Sequence, residues 1–111
     1  MKYLKNINPF VPIKIDEVVE HSGRKISSKA LINSKNVEIR FFSVVEGESI
    51  DKEYYEMETI FFIINGSLKI LYNNDEELVL NTGEMVALEG NIDYGIIAMT
   101  DTKMYNILVK K

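Results

Sequence analysis

Apolar and polar residues alternate with a period of two along most of this chain. Residues 37–45, "VEIRFFSVV", place Val37, Ile39, Phe41 and Val45 on one side and Phe42 and Val44 on the other. Alternation in branched and aromatic residues predicts a strand. "TIFFII", residues 59–64, is apolar on both faces and predicts a strand buried on both sides, ending in Asn65-Gly66. "SLKILY" sets Leu68, Ile70 and Tyr72 against Ser67, Lys69 and Leu71. "YNNDEE" supplies a hairpin turn, because Asn and Asp tolerate positive φ. "ELVL", "MVAL", "YGIIAM" and "KMYNILV" predict further strands, with "TGE" and "TDTK" as turns. Short strands with turns every several residues predict an all-β sandwich or barrel. No long helix is predicted. Pro9 and Pro12 make residues 8–12 an extended entry segment. "IDEVVE", residues 15–20, fits one helical turn and an opening strand equally well.

A chain of 111 residues is expected to form one domain, with nearly half its residues hydrophobic and able to supply a core. The expected division is an N-terminal extended segment and first strand over 1–24, then the barrel over 25–111. The 17 acids outnumber the 13 Lys and Arg, and the lysines are scattered, so no basic nucleic-acid footprint exists. The lack of cysteine excludes disulfides, thiolate catalysis and Cys-based zinc sites, and fits a cytoplasmic location. "MKYLKNINPF" has no apolar core of a signal peptide. The longest strictly apolar run, Ile60 to Ile64, is too short to span a bilayer. Neither nucleic acid nor membrane is an expected partner.

Chemistry concentrates in "GESIDKEYYEMETIFFIING", residues 47–66. Its spacing runs Gly47, five residues, Glu53, one residue, Tyr55, three residues, Thr59, six residues, Gly66. This resembles the first motif of the cupin family position for position. There the pattern is a glycine, His-x-His, a glutamate and a second glycine. "GEMVALEGNIDYGIIA" is similar in length to the second cupin motif. Gly83 stands on the family glycine, Glu89 on a proline and Asn91 on a glycine. Tyr94 stands on the third histidine and Ala98 on an asparagine. The resemblance covers roughly residues 25–109. It implies a small single-domain cupin, a double-stranded β-helix or jelly roll of two antiparallel sheets, with structural turn glycines at Gly47, Gly66 and Gly83.

Residues i and i+2 of a strand share a face, so His-x-His aims two imidazoles inward, and three imidazoles with a carboxylate suit a divalent transition metal. The four corresponding positions here read Glu53, Tyr55, Thr59 and Tyr94. Phenols bind metal well only after losing a proton, with an unperturbed pKa near ~10. No metal and no cofactor are therefore expected. The chain's one histidine, His21, precedes both motifs and reads as an exposed loop residue. Glu58 is one residue out of phase with Thr59 and points inward only if the preceding loop bulges.

Glu53, Tyr55, Thr59 and Tyr94 are instead the expected lining of a ligand site, with no catalytic residue assigned. Acids and aromatics together suit a neutral or cationic polar molecule such as a polyol, sugar or amine. The reading is a metal-free, non-catalytic cupin that binds a small polar molecule or serves as an accessory module. Two alternatives stand beside it. One is a metal-independent sugar epimerase or isomerase with Glu53 as base and Tyr94 as acid. The other is a pure protein-interaction module. Strands apolar on both faces need a cover on the outside, so a homodimer is expected.

Overall fold

The computed structural model describes residues 1–21, 23 and 25–110. The strands are β1 (Ile26–Asn33), β2 (Val37–Val44), β3 (Ser49–Tyr55), β4 (Glu58–Asn65), β5 (Ser67–Tyr72), β6 (Glu76–Asn81), β7 (Met85–Leu88), β8 (Ile92–Ala98) and β9 (Thr102–Val109). They form two antiparallel sheets in a jelly-roll arrangement. One has the order β1-β2-β9-β4-β7 and the other β3-β8-β5-β6. Consecutive strands mostly cross between sheets, and the exceptions are the hairpins β1–β2 and β5–β6. The β5–β6 turn has Asn73 at φ 53°, a conformation Asn accepts more readily than most residues. Among the described residues no helix is long and apolar enough to cross a membrane.

The core lies between the sheets. From the five-stranded sheet come Val44, Phe61, Ile63, Leu88 and Met104, and from the four-stranded sheet Leu68, Ile70, Leu80, Tyr94, Ile96 and Ala98. Each set occupies alternate positions of its strand, as period-two burial requires.

Strand β2 shows which of its faces is the inner one. Phe42 and Val44 pack into the intersheet core, whereas Ile39 and Phe41 belong to a second cluster outside it. Glu38 and Arg40 therefore lie in phase with the core side. The face richest in aliphatic residues is the outer one.

That outer face receives the N-terminal segment. A single 3-10 turn at Ile15–Glu17 leads into Val18 and Val19, which pack on Phe41, Leu31, Ile39, Ile64 and Tyr105. Residues 15–20 thus make a helical turn rather than an opening strand. No described residue within 1–24 is in a strand, and the first strand starts at Ile26. The reason is visible in the side chains. Val18 and Val19 are adjacent and both buried, a pattern strand geometry cannot produce against one surface. Beneath them Phe41, Tyr105 and Phe62 stack across β2, β9 and β4, with ring centroids 4.8 and 4.5 Å apart. Lys103 Nζ ties down the turn by donating to the Asp16 carbonyl at 2.6 Å.

Gly66, between β4 and β5, has φ 118°. A Cβ there would meet Thr102 Oγ1 at 2.5 Å and the Asp101 carbonyl at 2.6 Å. Its N–H donates to Thr82 Oγ1 at 2.9 Å, so the turn is bound to its neighbour as well. Gly47 and Gly83 also have positive φ, 85° and 83°, but open space around them. Gly66→Ala is expected to destabilise the fold by about 2 kcal/mol or more through strain and collision, and Gly83→Ala by less. Urea unfolding of the two variants measures the difference. Equal midpoints would show that the Thr102 contact carries no cost.

Candidate functional site

A cavity of about 380 Å³ opens between the sheets. The four-stranded sheet contributes Ile50 and Tyr55 from β3 and Tyr94, Gly95 and Ile96 from β8. The five-stranded sheet contributes Phe42 and Phe61 as apolar walls, and Met104 and Leu108 from β9. Polar groups come from the same sheet: Ser28 of β1, Glu38 and Arg40 of β2, and Asn106 of β9.

A bulge aims the tyrosine wall. Ile50 pairs with Ile96 and Glu53 with Tyr94, so β3 has one residue more than β8 between these pairs. Ile50 and Glu53, three apart, would otherwise lie on opposite faces. The bulge rests on Gly95, where a Cβ would come within 2.7 Å of both the Ile50 carbonyl and the Lys52 nitrogen. Tyr55 is thereby laid against Tyr94, with centroids 4.3 Å apart and planes 27° from parallel. Phe61 meets the Tyr94 ring edge-on at 5.9 Å.

The four sequence-derived positions have different fates. Tyr55 and Tyr94 line the cavity. Glu53 is exposed at the rim, where its Oε2 accepts the Tyr55 hydroxyl at 3.3 Å. Thr59 is fully buried and donates to the Ile107 carbonyl at 3.0 Å, which uses its hydroxyl within the sheet. Glu58 opens β4 one position from Thr59 and is exposed, so it does not turn inward. His21 is exposed at the arm and contacts the Ser43 hydroxyl through Nδ1, away from the cavity. Asn91, on the family glycine position, has φ 60°, and its side-chain carbonyl accepts the Tyr54 hydroxyl at 3.0 Å.

Sequence reasoning missed Ser28, Glu38, Arg40 and Asn106. The signal was the alternation of Glu38 and Arg40 with Phe42 and Val44. A strand face that changes from charged to apolar along its length fits a wet cavity opening above a dry core.

Electrostatics follow from this packing. Arg40 Nε donates to Glu38 Oε2 at 3.1 Å and its Nη1 to Ser28 Oγ at 3.2 Å. Lys110 Nζ stands 3.9 Å from Glu38 Oε1. Burial, and then the neighbouring Tyr55, push the Tyr94 phenol well above its ordinary range. Tyr55 is also raised, by burial first and then by the charge and hydrogen bond of Glu53. Both phenols stay protonated at neutral pH.

The architecture has close matches among solved structures. No family model and no curated protein matches the chain. Among solved structures, a conserved protein of unknown function from Streptococcus pyogenes superposes with a TM-score of 0.93 at 20% identity, covering 100% of this chain and 96% of that one. A cupin superfamily protein from Desulfitobacterium hafniense superposes at 0.89 with 26% identity, covering 97% and 98%. This chain has the cupin fold. A third neighbour, salicylate 1,2-dioxygenase from Pseudoaminobacter salicylatoxidans, matches at 0.69 with 14% identity over 77% of this chain and 25% of that one, a likeness of fold alone.

The metal that the cupin motifs imply does not fit these residues. Thr59 is committed to a backbone carbonyl, Glu53 leans to water, and the two phenols are stacked and held protonated. Among the described residues no three His, Cys, Asp or Glu converge on a point that could hold an ion.

The raised phenols carry a sign. A group whose folded pKa lies above its unfolded value resists ionisation in the fold. Stability is therefore retained below the unfolded tyrosine value, near ~10, and lost as pH rises beyond it. Tyr94→Phe removes the larger shift, so it is expected to flatten the alkaline fall of the melting temperature relative to the wild type. Parallel curves between pH 9 and 12 (about the tyrosine range) would show that Tyr94 ionises freely.

Proposed function

We propose that this cupin is a metal-free, non-catalytic domain that binds a small molecule in the intersheet cavity. The observation that supports the reading is the lining itself. Apolar walls from both sheets face a few polar side chains, the composition of a small-molecule site. At about 380 Å³ the cavity lies at the small end of such sites, which span roughly 300–1,000 Å³.

The epimerase reading is less well supported. It needs a base and an acid facing one reacting carbon. Glu53 lies outside the cavity lining, and the Tyr94 phenol is pushed away from a working acid's range. A purely interacting module leaves the cavity without a role.

A thermal-shift screen of small polar and apolar-bodied molecules tests the reading. Hits are expected to weaken in Tyr94→Phe and in Asn106→Leu and to persist in Glu53→Ala. The opposite pattern would return the site to the rim. Elemental analysis of dialysed protein should find no stoichiometric iron, manganese, nickel, copper or zinc, and one equivalent of any of them would end the metal-free reading. Turnover of a sugar nucleotide, lost in Glu53→Gln, would establish the enzyme instead.

The homodimer remains part of this proposal. Ile39, Ile107 and Ile60 stand in register on the outer face of the five-stranded sheet and are only partly buried, and Met85 beside Phe62 is exposed. The N-terminal arm covers the Phe41 end of this surface and reaches Ile39, leaving Ile107 and Ile60 for a second copy. Light scattering at micromolar concentration is expected to give twice the chain mass, falling to one chain mass in Ile107→Lys. A wild-type monomer would refute the assembly.

A further inference from the structure

Resting on the cavity reading above, we infer that the ligand is a small organic monocarboxylate with a compact apolar body, its carboxylate held by Arg40 and Asn106. The inference comes from which hydrogen-bonding capacity the lining has already used and which it has left over.

The carboxylate of the lining is already flanked by two cations. Glu38, the one carboxylate in the lining, has Oε2 on Arg40 Nε at 3.1 Å and Oε1 in an ion pair with Lys110 at 3.9 Å. Lys110 is itself positioned from behind by Asn33 Oδ1 at 2.6 Å and the Ser34 carbonyl at 3.0 Å. The other nearby acid, Glu53, is at the rim in water and accepts from Tyr55.

The donors are only partly engaged. A guanidinium carries five N–H groups. Arg40 uses one on Glu38 and one on Ser28, leaving both of Nη2 and one of Nη1 without a protein partner among the described residues. The Asn106 amide and the Tyr94 hydroxyl likewise have none, and neither is a fully enclosed atom. Tyr94 is protonated and so remains a donor.

A site with surplus donors takes an acceptor. A guanidinium matches a carboxylate best, because its planar fork can meet both oxygens at once. Arg40 and Lys110 against Glu38 also leave one net positive charge at this wall. The Arg40 side chain is only 30% exposed, so water screens that charge incompletely. The ligand's other end would meet Phe42, Phe61, Ile96 and Met104, which offer no polar atom beyond a thioether. An amine would face the guanidinium, and a polyol would put hydroxyls against this apolar wall. The proposed monocarboxylate departs from the neutral or cationic ligand expected from Glu53, Tyr55, Thr59 and Tyr94 alone, because that set did not include Arg40.

Isothermal titration of the full chain with benzoate, benzamide and benzylamine tests the inference, since the three share one apolar body and differ in head group. Benzoate is expected to bind at least tenfold more tightly than benzamide, with benzylamine weaker still. Arg40→Gln should remove the preference, so that benzoate and benzamide bind that variant equally. If benzamide or benzylamine equals benzoate on the wild type, the carboxylate assignment falls and the cavity reading stands. If none of the three binds, both fall. Should Arg40→Gln fail to fold, nitrogen-correlated spectra of the wild type decide the matter. Benzoate must move the Arg40 Nε and Asn106 Nδ2 cross-peaks, and binding that leaves them in place overturns the inference.

Discussion

The site depends on one place where backbone meets backbone. At Gly95 the chain has no side chain, and the β3 bulge presses onto it so closely that a single carbon would collide with both the Ile50 carbonyl and the Lys52 nitrogen. The bulge shifts the phase of everything after it. Tyr55 meets Tyr94 because of that shift, and Glu53 is drawn to the rim beside it. An alanine at this position would have to push the bulge away or flatten it. Flattening would turn β3 by one residue and replace the tyrosine wall by its neighbours, and displacement would pull that wall off Tyr94.

Opposite that wall, the five-stranded sheet divides its labour by face. Its inner side carries the guanidinium, the amide and the aromatic walls. Its outer side carries the ring stack and the valines of the N-terminal arm. Strand β2 belongs to both: Arg40 faces the cavity and Phe41, next to it, lies under the arm. Adjacent residues of one strand thus serve a polar site and a dry one without mixing, because alternation sends them in opposite directions.

Much of this fold was legible in the sequence. "SLKILY", "ELVL" and "KMYNILV" became strands where their alternation placed them, and Asn73 turned the hairpin. The motif spacing singled out Tyr55 and Tyr94, and both rings line the cavity, where their role toward a ligand is a proposal. Three things were not legible. The inner face of β2 was hidden because its apolar residues lie on both sides, and hydrophobicity alone favoured the outer one. The fate of Glu53 and Thr59 turned on a bulge and on a carbonyl 48 residues away, neither of which spacing records. The arm's docking rests on two adjacent valines, which have no period to detect.

The chain contains one histidine and no tryptophan. That histidine lies at the seam between arm and sheet, against the hydroxyl of Ser43. Its imidazole protons are therefore a single, unlabelled reporter of the seam, separate in a proton spectrum from every other ring in the molecule. Release of the arm would change their shift and their line width while the cavity tyrosines reported independently. The protein thus carries two native spectroscopic probes, one on the outer face of the five-stranded sheet and one across the cavity on the four-stranded sheet, and neither has to be engineered.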